Sequence, residues 1–323
     1  MSLWKKIRHR IETAALRFFA WLIPRLSRRT CVSLGNALGG LAFHLDRRGR
    51  AVALANVRCA LGAALSPAGQ LAVVRASYRN FARTMIDLFW SPALAKPENR
   101  HWLRIRKSPE CARALDEEKR GAVLLTMHFG NWEWGSLSAG WAGYPALAVA
   151  ENFKNPALTD IFTAPRQVSG QKIIAQEQSM LKMLRAVKRG GYAAFLSDLT
   201  LRPGEASTVI RAFGMELCVS ILHAVLALRG GAVVVPFLCM PDADGGYTSE
   251  MYPPLGISDG ATPQQVAQQC WDFYEPHVRK NPGLWLWPYK HFRYRPRGAG
   301  REYPFYANES GAFEKLRQKE IRD

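Results

Sequence analysis

From residue 66 to residue 89 apolar side chains return every three or four positions: Leu71, Val74, Tyr78, Phe81, Met85, Leu88 and Phe89. That period puts them on one face of a helix. Ser66-Pro67 opens it, a capping hydroxyl followed by proline at the first helical position. Arg75, Arg79 and Arg83 recur every four residues on another face. A solvated surface is the ordinary reading of such a stripe; contact with phosphate is the other. Beyond residue 120 the pattern changes to alternation. Short apolar runs at Ala122–Met127, Ala146–Ala150, Tyr192–Leu196 and Ala232–Cys239 predict strands. Segments near Trp132–Ala142, Leu158–Val168, Met180–Lys188 and Leu217–Leu228 predict helices, two of them closed by Gly190-Gly191 and Gly230-Gly231. Thr262-Pro263 opens a last helix running to Arg279, and Lys315 to Asp323 reads as a charged surface tail. Alternating strand and helix predicts an α/β fold: a mostly parallel or mixed sheet flanked by helices.

The N-terminus departs from this rhythm. Trp4 to Arg10 is basic, Ala14 to Pro24 is apolar but broken by Arg17, and Cys31 to Leu45 is apolar again. No small-residue cleavage site follows, and neither run reaches the ~20 apolar residues of a clean transmembrane helix. Residues 1–45 therefore predict a membrane-associating helix or helical hairpin, peripheral or monotopic, with an ordinary amphipathic helix capping the core and a single span as the alternatives. Arg47 to Arg50 reads as a basic hinge into an α/β domain over residues 46–310, with residues 311–323 as the tail.

Charge sharpens that picture. The 323 residues carry 44 Lys plus Arg against 26 Asp plus Glu, a net +18. Such a surface attracts nucleic acid, an anionic bilayer, or an acidic or phosphorylated partner. Trp285, Trp287, Tyr289, Phe292 and Tyr294, interleaved with Lys290, Arg293, Arg295 and Arg297, suit a closing strand with inward aromatics, a bilayer interface or a nucleic-acid platform. No nucleic-acid motif supports the last, and no nucleic-acid partner is expected. The six cysteines are scattered without a CxxC pair, so buried reduced thiols are expected, not a zinc site or disulfide framework.

The chemistry concentrates at Met127-His128-Phe129-Gly130-Asn131-Trp132-Glu133. A strand ends here and a helix starts, placing His128 at the carboxyl end of a strand, where α/β sheets bind ligands. Glu133, in the first helical turn, is expected to reach back to one imidazole nitrogen and leave the other free as a general base. Gly130 and Asn131 are expected to turn the backbone and present N–H groups to developing negative charge. Those parts move an acyl group from a thioester to a hydroxyl without a covalent enzyme intermediate. A His-x4-Glu spacing is common by chance. There is no GxSxG elbow, P-loop, GxGxxG or HExxH, and no third ligand beside His128 and Glu133, so no metal is expected.

Taken with further blocks in order, the segment resembles the lipid A late acyltransferases, the lauroyl and myristoyl transferases of bacteria. Arg50 with Asn56-Val57, then Asn155-Pro156, Asp160, Arg166 and Gly170, then Asp198, resemble successive blocks of that family. Arg211-Ala212-Phe213-Gly214 followed by Gly231 to Pro236 resembles its next strand–helix–strand unit, and Pro253-Pro254 and Asn281-Pro282 through Trp287 its closing blocks. The likeness spans roughly residues 45 to 297. It implies an enzyme at the cytoplasmic face of the bacterial inner membrane. Its donor would be acyl carrier protein or acyl-CoA, its acceptor a lipid hydroxyl, and it would need no cofactor. Arg166 and Asp198 would be substrate-binding. Thr200 stands where the family often has a second acid, and Trp287-Pro288-Tyr289-Lys290-His291 replaces a histidine-bearing block. An aminolipid acceptor, and thioester hydrolysis with water as acceptor, are the alternatives.

Overall fold

The computed structural model describes residues 3–150, 153, 155–176 and 179–322. Four helices lead the chain: α1 (Leu3–Leu22), α2 (Arg28–Leu45), α3 (Arg47–Leu61) and α4 (Pro67–Leu94). Their starts are written in side chains. Ser27 accepts from the Thr30 N–H, Asp46 from Gly49 and Ser66 from Gly69, each satisfying an orphan donor of a first turn. The basic run Arg47–Arg50, expected as a hinge, is thus the capped first turn of α3. A Cβ on Gly39 would stand 2.5 Å from the Arg79 Cα, so the glycine lets α2 lie directly on α4. Residues 28–45 are in this way packed along the fold's longest helix.

The strands longer than two residues are β1 (Leu103–Lys107), β2 (Ala122–Thr126), β3 (Ala146–Val149), β4 (Lys172–Ile174), β5 (Tyr192–Leu196), β6 (Ser207–Ala212), β7 (Met215–Ser220), β8 (Val233–Pro241) and β9 (Tyr247–Met251). Between and after them run α5 (Pro109–Ala112), α6 (Trp132–Trp141), α7 (Pro156–Arg166), α8 (Ser179–Lys188), α9 (Leu222–Gly230), α10 (Pro263–Lys280) and α11 (Gly311–Arg322). Among the described residues seven strands form one sheet in the order β1-β9-β8-β2-β5-β3-β4. Every pair is parallel except β8–β9. β2 is buried along its whole length, and β8 from Val233 to Cys239, which is what helices on both faces of a parallel sheet require. The connection from β8 to β9 is a short turn, too short for a crossover, so that pair is antiparallel.

Three parts of the chain differ from expectation. β1 and β9 have no long apolar run, because one edge pair shows its charged and polar side chains outward. The stretch from Leu217, expected as a helix, begins as β7. Phe213 and Gly214, with φ of 53° and 71°, make the two-residue turn of a β6–β7 hairpin before α9 starts. The charged C-terminus is no free tail: Phe313 is fully buried and Arg317 meets Glu216 at 2.6 Å, docking α11.

Among the described residues no helix is long and apolar enough to cross a membrane, so the single-span alternative has no helix to carry it. α1 instead leaves Trp4, Ile7, Ile11, Phe18 and Trp21 exposed at helical spacing. Its inner side is tied down by Asn155, whose amide donates to the His9 carbonyl (3.2 Å) and Thr13 Oγ1 (3.1 Å). All six cysteines are buried and free, and burial raises each thiol above its ordinary value.

Candidate active site

β2 ends at Thr126, and the chain turns over Met127–Asn131 into α6. Gly130 makes the turn at φ 63°, where a Cβ would lie 2.2 Å from the Cys239 carbonyl oxygen. Its N–H donates to the Leu284 carbonyl (3.0 Å) and that of Asn131 to the Cys239 carbonyl (2.8 Å). The Asn131 side chain caps α6 through the Trp134 N–H (3.0 Å) and donates to Asp87 (2.9 Å). Gly130 and Asn131, expected to face substrate with free N–H groups, spend both on neighbouring backbone and hold the loop. Beneath it, Asp87 forms a bidentate, fully buried ion pair with Arg28, joining α2, α4 and the loop.

The loop presents His128, whose side chain keeps 19% of its surface exposed. Its Nδ1 lies 2.9 Å from Asp198 Oδ1, and its backbone N–H donates to Asp198 Oδ2 at 3.0 Å. The Trp285 indole N–H donates to the same Oδ2 at 2.9 Å. The carboxylate that orients the imidazole is therefore Asp198, not Glu133 as the spacing suggested. Both Glu133 oxygens are taken by Arg166, with Nε at 2.8 Å and Nη2 at 2.6 Å. Glu133 starts α6 on the far side of the turn, facing the end of α7, and a guanidinium fork there claims it. The partner of Arg166 is therefore Glu133.

Electrostatics follow this geometry. Burial alone would lower the His128 imidazole, but the charge and hydrogen bond of Asp198, with Glu133 adding, outweigh it and raise the group above its ordinary value. Asp198 is fully buried, which would raise its carboxyl. The His128 charge and hydrogen bond reverse this and hold it below the usual carboxylate range. With a carboxylate on Nδ1, that nitrogen carries the proton and Nε2 is left as the base.

Sequence reasoning missed the frame around this pair. Trp285 is fully buried, flanked at 3.9 Å by the stacked His291 ring. Burial pushes His291 down to about 4, so it is neutral at ordinary pH. The replaced closing block thus packs a histidine behind Asp198's tryptophan donor. Ser77 donates to the Trp285 carbonyl at 2.5 Å, and Asn56 donates to the carbonyls of Trp287 and Tyr289, each at 2.8 Å. The aromatics from Trp285 to Phe292 pack as a hydrogen-bonded loop in which Trp285 bridges to Phe129, and Tyr294 then starts a two-residue strand paired with Asn308. Among the described residues no group of three metal-ligating side chains occurs.

A strand-end imidazole, oriented by a buried carboxylate on the neighbouring strand and 19% exposed, is an arrangement that can take a proton from a nucleophile. The chain belongs to the bacterial lipid A biosynthesis acyltransferase family, whose sequence model matches residues 5–294. It is an acyltransferase, and the family implies an acyl donor and a lipid acceptor. It is 24% identical over 298 residues to the lipid A biosynthesis lauroyltransferase of Escherichia coli (strain K12), covering 88% of this chain and 92% of that one. It is also 26% identical over 219 residues to the phosphatidylinositol mannoside acyltransferase of Mycolicibacterium smegmatis (strain ATCC 700084 / mc(2)155), covering 66% and 70%.

Proposed function

We propose that this acyltransferase moves a fatty acyl chain from the thioester of acyl carrier protein or acyl-CoA to a hydroxyl of a lipid A precursor, with His128 as general base. The observation that carries the reading is the 2.9 Å contact between His128 Nδ1 and Asp198, which leaves Nε2 as the ring's other nitrogen on a side chain 19% exposed. Nε2 takes the acceptor's proton as its oxygen attacks the thioester carbonyl. Asp198 stabilises the imidazolium that forms. Collapse of the tetrahedral intermediate expels the thiolate, which takes the same proton back from Nε2. Arg166, held rigid by Glu133, is the cation beside this centre and favours the developing oxyanion. Glu133 thereby acts on the imidazole through its charge and on Arg166 through its hydrogen bonds. No covalent enzyme intermediate is needed.

The exposed apolar side of α1, flanked by Arg8, Arg10 and Arg17, suits an anionic bilayer surface, and we place the enzyme peripherally on the cytoplasmic face of the inner membrane. The test supplies acyl carrier thioester with and without the lipid acceptor. Acceptor-dependent product should fall ~10²–10⁴-fold in His128→Ala, the usual loss for a general base. Thioester consumed equally fast without acceptor would instead assign the site to hydrolysis, and undiminished transfer by His128→Ala would end the mechanism.

A further inference from the structure

The basic stripe on α4 has no part in the chemistry above, yet it is not an ordinary solvated face. Arg75, Arg79 and Arg83, with Lys280 at the end of α10, line one groove of about 790 Å³ between α2, α4 and the segment 280–284. No carboxylate lines it. Arg75 lies over the Phe43 ring at 5.1 Å, and neither it, Arg79 nor Lys280 has an ion-pair partner among the described residues. Arg83 Nε is buried and meets no acceptor. Like charges at four-residue spacing on one helix repel one another, and a solvated stripe relieves this with interleaved acids. Here the cations converge on a concavity instead, of the size that holds a small-molecule headgroup and not a flat protein contact.

The groove also adjoins the reaction centre. Its lining includes Asn80 and Leu284; the Asn80 amide donates to Leu284 O (3.0 Å) and to Gly130 O (2.9 Å), and Gly130 is two residues from His128.

We propose that this groove binds a phosphate ester of one of the enzyme's own substrates, with Arg75, Arg79 and Lys280 as its cationic contacts. Guanidinium and ammonium groups left without carboxylates form charge-assisted hydrogen bonds to phosphate oxygens. Two sources share that chemistry: a phosphorylated sugar headgroup of the lipid acceptor, and the phosphates of the donor's pantetheine arm.

The full-length protein in detergent is titrated with glucosamine 1-phosphate, with unphosphorylated glucosamine, and with coenzyme A. One phosphorylated probe should bind, more weakly as salt rises, while glucosamine should not. Arg75→Gln/Arg79→Gln should weaken that binding roughly tenfold or more, as loss of charge-assisted contacts does. Lys280→Gln, outside the α2–α4 packing, repeats the test should the double variant fold poorly. In acyl transfer the same variants should raise KM for the lipid acceptor alone, or for the thioester donor alone, with kcat near wild type; which one rises identifies the source. Only this kinetic arm rests on the acyl-transfer reading: a wild type inactive on thioester but losing phosphate-probe binding in the variants would refute that reading and keep the groove. Binding of phosphorylated probes unchanged in both variants, or absent in the wild type with both KM values unchanged, overturns the proposal.

Discussion

His128 and Asp198 each stand two residues past a register pair: Thr126 of β2 lies opposite Leu196 of β5, and the Ser197 N–H donates to the Thr126 carbonyl at 2.8 Å. Parallel strands keep equal offsets side by side, so the imidazole and the carboxylate meet at 2.9 Å where the sheet ends. The site is thus built on two rigid neighbours, and only its outer wall, Glu133 with Arg166, comes from helices.

That geometry sets a pH dependence. With the neutral imidazole as the proposed base, kcat/KM should climb with pH through the His128 titration, which Asp198 raises above histidine's ordinary value. Asp198→Asn removes the charge that outweighs burial. Its acidic limb should therefore move to lower pH while the plateau rate drops on the order of 10²-fold. Profiles of wild type and variant across pH 5–9, normalised to their plateaus, read both effects. A limb that stays put, or moves upward, would show that Asp198 does not hold the imidazolium.

Glu133 and Arg166 form a pair that is mostly dry, with 7% and 24% of their side chains exposed. Breaking such a pair leaves one charge uncompensated. Glu133→Gln should cost about 2–4 kcal/mol of stability, towards the lower side of the range for fully buried pairs because Arg166 keeps some water. Glu133→Gln/Arg166→Gln should recover part of that loss in a thermal melt, yet remain poor in acyl transfer because the cation is gone. Full recovery of activity by the double variant would make the pair purely structural.

Membrane association should reside in the outer face of α1. Replacing Trp4, Ile11, Phe18 and Trp21 by serine removes large apolar side chains that are more than half exposed and touch little of the core. The melting temperature should hardly change, while sedimentation with vesicles containing anionic lipid should drop severalfold, and binding by what remains should weaken with salt. Undiminished pelleting at high salt would assign the anchor to another surface.

What the sequence determined by itself was everything governed by short-range periodicity. The 3.6-residue stripe and Ser66-Pro67 gave α4, continuous apolar runs gave β2, β5 and β8, and paired glycines gave the ends of α8 and α9. His128 was legible because a strand end beside a helix start is itself a local pattern. Its partner was not. Glu133 is near in sequence but points across the turn to Arg166, while Asp198 lies 70 residues on and becomes adjacent only once β2 and β5 pair. The equal offsets of His128 and Asp198 past two apolar runs are present in the sequence, but they acquire meaning only from strand order, which periodicity does not encode. The same holds for Asn56, Ser77 and Trp285, whose hydrogen bonds join segments more than 80 residues apart, and for the arginine groove, where a visible basic stripe became a concavity through the packing of α2 and the 280–284 segment against α4.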